Sequence, residues 1–199
     1  MFSGWSSGVD TVDMESTEKI LILNGATSSG KTSLSKELQD TLDEPHIHLE
    51  EDRFVYGTYH GRYLQTRMVE EIFRKTMLGY YRSIAAFAGA GHNVIAETGF
   101  YTRELVEVCV AELAGLDVWL IGVHCSVDEL DRRERARGDR EVGEARKQAA
   151  TIHEHVVYDV EVDTSTQSLR KCAEAIREVV TSGRRPLGSD ATRRRLAAR

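Results

Sequence analysis

Apolar and polar positions change period several times along the chain, and each change marks an element. Lys19-Ile-Leu-Ile-Leu-Asn24 is a short unbroken apolar run, which predicts a strand covered on both faces, as in a parallel sheet. Leucines at 34, 38 and 42 predict a helix over Ser33–Leu42, stopped by Glu44-Pro45. His46-Ile-His-Leu49 alternates as a second strand, leading into Glu50, Glu51 and a strand-end Asp52. A long helix is expected from about Tyr63 to Ala88, closed by Gly89 and Gly91. A third strand, Asn93–Ala96, ends at Glu97, and a helix follows over Arg103–Ala114, ended by Gly115.

Asp117–Val123 is the fourth and most apolar strand. Residues Val127 to Ala150 are charged and helical in composition, broken at Gly138 and Gly143. Tyr158–Asp163 alternates as a fifth strand, and Ser168–Val180 reads as the last helix. Strands separated by helices imply right-handed βαβ units. The expected fold is a three-layer α/β/α domain around a five-stranded parallel sheet.

Length and composition narrow the class. The 199 residues favour one domain, and 41% hydrophobic with 29% charged residues excludes a disordered or fibrous chain. No apolar run approaches the roughly 18 residues that a membrane span needs. Residues 1–17 are Gly- and Ser-rich with no Lys or Arg, and read as a flexible leader rather than a secretory signal, so a cytoplasmic location is expected. The domain is expected over residues 18–182, followed by a basic tail at 183–199. Residues 184–199 carry six arginines and one aspartate, although the whole chain has a net charge of -6. An acidic body argues against nucleic acid as a partner, and the tail reads as a solvated terminus. Cys109, Cys125 and Cys172 show no metal spacing; apolar neighbours at Cys109 and Cys125 suggest buried free thiols.

The chemistry begins at Gly25-Ala26-Thr27-Ser28-Ser29-Gly30-Lys31-Thr32, a full G-x-x-x-x-G-K-[ST] match directly after a strand and opening a helix. The glycines let consecutive N–H groups turn towards phosphate oxygens, and the helix start adds its positive end. Lys31 is expected to reach the β- and γ-phosphates of ATP, and the Thr32 hydroxyl to ligate Mg²⁺. No Asn-Lys-x-Asp guanine reader occurs, and the length suits neither a motor nor a transporter ATPase. A small-molecule kinase would further need a base, an acceptor pocket and mobile cations.

Asp52 is the candidate base, since ligands of open α/β sheets sit outside the carboxyl ends of the strands. A helix-capping role stays open for it. Glu97 is a second carboxylate in the same crevice, serving Mg²⁺ through water, gripping the acceptor, or holding structure. Asp131-Arg-Arg-Glu-Arg-Ala-Arg-Gly-Asp-Arg140 supplies five arginines; Arg133 and Arg137 share a helix face, with Arg140 one turn on. A lid over about 127–150, jointed at Gly138, would use them on the phosphates. The other reading is a solvated, ion-paired helix. Tyr56, Tyr59, Tyr63, Tyr80, Tyr81, Phe100 and Tyr101 crowd the acceptor side, either as pocket or as plain core. The expected acceptor-binding set is Asp52, Arg53, Tyr56, Glu97, Thr98 and Phe100. His60 and His92 have no ligand spacing, and His153 and His155 face no evident nucleophile.

From about Lys19 to Val180 the chain resembles the chloramphenicol phosphotransferases, P-loop kinases that move the ATP γ-phosphate onto a drug hydroxyl. The likeness is tightest in Ala136-Arg-Gly-Asp-Arg140, Lys147-Gln148, His153-Glu154 and Tyr158-Asp-Val-Glu-Val-Asp163. It implies a P-loop kinase fold with a helical lid, and a catalytic base twenty residues beyond the loop's final Ser/Thr. That offset from Thr32 lands on Asp52. It also implies lid roles for Arg133 and Arg137, and places the nucleotide base near Asp163-Thr-Ser-Thr166. Glu97 and Thr98 stand where the family's third strand ends in an Asp-Asp pair, and Tyr56 to Tyr81 shows little likeness.

The resulting expectation is an ATP- and Mg²⁺-dependent O-phosphotransferase acting on a small hydroxylated acceptor, an antibiotic, with catalytic roles for Asp52, Lys31, Arg133 and Arg137. The alternatives are a nucleotide-gated regulatory module and a nucleoside or metabolite kinase. Neither a nucleic-acid nor a membrane partner is expected, and self-association stays open.

Overall fold

Ile20 and Ile22 turn to one face of the first strand and Leu21 and Leu23 to the other, and all four are buried. That strand, β1 (Lys19–Asn24), is therefore the spine between two hydrophobic cores, which is why its sequence is apolar without alternation. The structure is a computed structural model describing residues 18–58, 69–137 and 143–198.

The other strands are β2 (His46–Glu50), β3 (Asn93–Thr98), β4 (Asp117–His124) and β5 (Val160–Asp163). They form one sheet in the order β2-β3-β1-β4-β5, and every pairing is parallel. Helices α1 (Lys31–Thr41) and α7 (Leu169–Val180) pack on each other across one face, burying Leu34, Leu38, Cys172 and Ile176 against Leu21 and Leu23. On the other face α3 (Val69–Gly89) and α4 (Arg103–Glu112) enclose Ile20 and Ile22 with Met77, Tyr80, Tyr81, Ile84 and Val106. The three layers expected from the pattern are present.

Several boundaries move, each for a local reason. The second strand stops at Glu50, and Glu51–Thr58 forms a helix, α2, that the hydrophobic period did not announce. Asp52 thus lies in the first turn of a helix rather than at a strand end, where its charge is favourable beside the helix N-terminus. The strand β3 extends to Thr98 and β4 to His124, and β5 starts only at Val160. The long helix is described from Val69, so Tyr63 lies outside the described residues, as do the leader at 1–17, Tyr59 and His60. Cys125 is half-buried and Cys172 fully so, because Cys172 falls on the inner stripe of α7.

The charged stretch is two helices, α5 (Val127–Arg137) and α6 (Glu144–Ala149), held together by a buried carboxylate. Glu134 accepts from Gly143 N at 2.5 Å and Ala145 N at 3.1 Å, capping α6. Arg146 adds an ion pair to Asp131 at 2.7 Å.

The Arg-rich terminus is not a solvated tail. Gly188–Ala197 forms α8, which packs on α4 and β4. Its two buried side chains, Thr192 and Leu196, lie one turn apart, while Arg193, Arg194 and Arg195 face solvent. Asp159 fastens its start, accepting from Leu187 N at 2.7 Å and Gly188 N at 2.8 Å. Arginine-rich composition masked a short buried stripe, in which Leu196 packs and the Thr192 hydroxyl accepts from Val157 N at 2.8 Å, and that stripe decides where the helix goes. Among the described residues no helix is long and apolar enough to cross a membrane.

Candidate active site

The loop 25–30 leaves the end of β1 and turns into α1 in a path that few side chains tolerate. A Cβ at Gly25 would sit 2.4 Å from the Val123 carbonyl oxygen of β4. Gly30 has φ +93 and a Cβ there would approach Arg133 Nη1 to 3.2 Å. The motif's two glycines are therefore required by close approach and by left-handed backbone. The first turn of α1 carries no acidic residue, so its N–H groups and positive end face the loop uncompensated. Lys31 Nζ donates to the carbonyls of Gly25 at 2.6 Å and Ala26 at 3.0 Å, which lays its ammonium along the loop.

A cleft of about 420 Å³ opens above this loop. Thr27, Ser28, Gly30, Lys31 and Thr32 form its floor; Glu97 and Thr98, at the end of β3, and Asp52, on α2, form one side. Arg133 from α5 closes the other. The residues expected to handle phosphate and the residue expected to act as base thus line one space. A smaller cavity of about 230 Å³ adjoins it, sharing Glu51, Asp52 and Tyr101 and extending to Val55, Tyr56, Phe73 and Gln148.

Thr32 Oγ1 donates to Glu97 Oε2 at 2.8 Å, and Glu97 Oε1 meets His48 Nε2 at 2.5 Å. The strand register accounts for the second contact. His48 pairs with Ile95 and Glu50 with Glu97, so His48 and Glu97 are diagonal neighbours on the face towards α1. Beneath them, Tyr80 donates to the carbonyls of Glu97 at 2.6 Å and Leu49 at 3.0 Å, fixing the ends of β2 and β3 together. A hydroxyl beside a carboxylate at a phosphate loop is a hard-oxygen set of the kind that Mg²⁺ takes alongside phosphate and water, so the residues fit that ion.

Arg133 is forked. Its Nη2 donates to Thr164 O at 2.9 Å and Nη1 to Thr164 Oγ1 at 3.1 Å, while Nε bonds Glu129 at 2.8 Å. Thr164 in turn donates to Ser29 O at 2.6 Å, so the turn after β5 is tied to the phosphate loop. Gln148 Oε1 accepts from Thr27 N at 2.7 Å, tying α6 to the loop as well.

Other expectations meet a different outcome. Arg53 is exposed and paired with Glu50 at 2.8 Å, and it lines neither space. Phe100 is 2% exposed with its ring in the core, and its N–H donates to Asn24 Oδ1 at the end of β1 at 2.9 Å. Phe100 is not a pocket wall; Tyr101, one position on, lines both spaces. Tyr56 is 62% exposed at the edge of the smaller cavity. Tyr80 and Tyr81 are core residues whose hydroxyls support strand ends. His153 bonds Tyr158 at 2.6 Å and stacks on His124, and burial pushes its pKa down to about 4. The Arg137 side chain, Gly138 and Arg140 lie outside the described residues.

Pattern reasoning gave no role to Glu51 or His48, and it quoted Gln148 only as part of the family likeness. Burial pushes the pKa of Glu51 up to about 7 against the bonds from Thr98 and Gly99 and the charge of Lys31. Its sequence signal, an acid beside Asp52, was indistinguishable from a solvated charge run.

Comparison with known proteins agrees with this geometry. Residues 18–181 match the family described as chloramphenicol phosphotransferase-like protein. A Mycobacterium tuberculosis protein named as an O-phosphotransferase is 31% identical, the match covering 89% of this chain and 88% of the relative. Among solved structures, the M. tuberculosis APS kinase CysC, in complex with AMPPNP and APS, superposes with TM-score 0.65 at 15% identity. That match covers 82% of this chain and 97% of the kinase. Shikimate kinase from Acinetobacter baumannii, in complex with shikimate, superposes with TM-score 0.61 at 14% identity, covering 85% and 96%. The structural likenesses establish the P-loop kinase fold, and the sequence likenesses establish more: the chain belongs to the chloramphenicol phosphotransferase-like family and is a small-molecule phosphotransferase.

Proposed function

We propose that the protein transfers the γ-phosphoryl group of ATP to a hydroxyl of a small antibiotic. The observation that carries this reading is the shared cleft: Asp52 and the phosphate loop line one space of about 420 Å³, and a smaller cavity with apolar Val55 and Phe73 adjoins it at Asp52. The family's description supplies the antibiotic class.

The loop N–H groups and Lys31 hold the triphosphate. Thr32 and Glu97 would hold Mg²⁺, which neutralises charge on the phosphates. Asp52 orients the acceptor hydroxyl and takes its proton while the new O–P bond forms and the bond to the departing ADP oxygen breaks. Arg133, fixed by Thr164 and Glu129, presents guanidinium charge to the transferring group, and Arg137 and Arg140 add to it from the same charged segment. Closure of the α5–α6 pair over the cleft excludes water, whose attack on ATP would compete. Tyr56, Tyr101 and Thr98 contact the acceptor. Dependence on ATP suits a cytoplasmic location.

The test incubates the protein with ATP, Mg²⁺ and a panel of hydroxylated antibiotics that includes chloramphenicol, and reads product mass. A gain of one phosphate with wild type but not with Asp52→Asn is expected. ADP release indifferent to every acceptor would mean a regulatory module instead, and transfer confined to nucleosides or nucleotides would mean a metabolic kinase.

A further inference from the structure

Glu97 is 5% exposed, and both of its carboxylate oxygens are engaged by side chains that reach it from different elements. Oε2 takes the Thr32 hydroxyl from α1, and Oε1 takes His48 Nε2 from β2. A buried carboxylate requires donors on its oxygens, and a single bond would leave it free to rotate about its last torsion. The Thr32 bond alone cannot prevent this, because the Thr32 hydroxyl is itself a rotor. His48 is the fixed end. Its side chain is 10% exposed, and it projects from a strand whose neighbour carries Glu97 in parallel register.

We propose that His48 is a positioning residue for the metal side of the site: its Nε2–H holds Glu97 Oε1 so that Oε2 stays beside the Thr32 hydroxyl. The two oxygens are then set before a nucleotide arrives, and His48 does the work that hydrogen-bonded outer partners do for metal-ligating carboxylates. The inference rests on the Mg²⁺ part of the proposed function. It predicts a division of labour: loss of the His48 bond weakens divalent-cation binding, whereas nucleotide binding without metal, carried by the loop N–H groups and Lys31, is unaffected.

The test measures affinity for Mn²⁺, read by its electron paramagnetic resonance in the presence of ADP, and affinity for ADP in the presence of chelator. The proteins are wild type, His48→Leu, His48→Asn and His48→Gln. Leu removes the donor and Asn falls short of Oε1, so each is expected to weaken Mn²⁺ binding roughly 10-fold or more. Gln carries an N–H at comparable reach and is expected to stay within about threefold of wild type. Metal-free ADP affinity is expected to be unchanged in all variants, which also reports that each one folds; Asn serves if Leu does not. Mn²⁺ affinity within twofold of wild type in Leu or Asn would overturn the proposal, and so would an equal loss in Gln. If wild type itself binds no Mn²⁺ with ADP, the Mg²⁺ reading falls and His48 with it. If wild type binds Mn²⁺ and the variants do so equally, only the role of His48 falls.

Discussion

The hydroxyl of Thr98 donates to Glu51 Oε2 at 2.7 Å, joining the last residue of β3 to the first residue of α2. The Gly99 N–H reaches the same oxygen at 2.8 Å. This junction, between elements far apart in sequence, sets the wall of the cleft from which Asp52 projects.

Glu51 makes stability depend on pH in a particular direction. Burial raises its pKa from 4.5 to about 7, so between those values the folded protein holds a proton that the unfolded chain has released. Stability therefore falls as pH rises through that window, with the loss complete above about 7. Glu51→Gln keeps an oxygen for Thr98 and Gly99 and removes the buried charge. It is expected to stabilise the protein by roughly 3 kcal/mol at pH 8.5 and by almost nothing at pH 4. Urea unfolding at the two pH values checks this, and an equal gain at both would refute it.

Arg133 and Arg132 both bind Glu129, but only Arg133 also bonds the carbonyl and hydroxyl of Thr164. A lysine offers one nitrogen and cannot reproduce that fork. Arg133→Lys is expected to lower phosphoryl-transfer turnover about 100-fold, and Arg132→Lys, whose side chain is 67% exposed, less than threefold. Steady-state kinetics on a turned-over panel antibiotic distinguishes them.

Neighbouring aromatics should part by phenotype. Phe100→Ala opens a core cavity and is expected to cost about 3–4 kcal/mol, while Tyr101→Ala is expected to cost under about 1 kcal/mol and raise acceptor KM roughly tenfold. Thermal denaturation and acceptor titration read the two effects separately. The reverse assignment would mean that Phe100 is the pocket residue after all.

The terminal helix should matter through its buried face rather than through its exposed arginines. Leu196→Ala is expected to cost about 2 kcal/mol, a fall in Tm of roughly 4–8 °C. Replacing exposed Arg193 and Arg194 by Gln should shift stability by less than about 0.5 kcal/mol each. A scan of the three variants is sufficient; equal melting temperatures would show that α8 contributes nothing.

Local order was legible in the chain itself. Unbroken apolar runs marked β1 and β4, because a residue covered on both faces has no polar side to show, and alternation marked β2 and β5 at the sheet edges. Gly25, Gly30, Lys31 and Thr32 stand at spacings that the geometry of a phosphate loop demands, and Asp52 could be singled out because it lies just past a strand on the ligand side of the sheet. What the period could not express is which distant group each polar side chain meets. His48 opposite Glu97 depends on strand register, Gln148 on Thr27 on a helix folding back across 121 positions, and Arg133 on Thr164 on the packing of α5 over the loop. Phe100 and Tyr101 look alike in sequence, and only the turn after β3 sends one ring into the core and the other into the cleft. Local sequence decides which faces are apolar, but hydrogen-bond partners are chosen by where those faces come to rest, and that is a property of the packed whole.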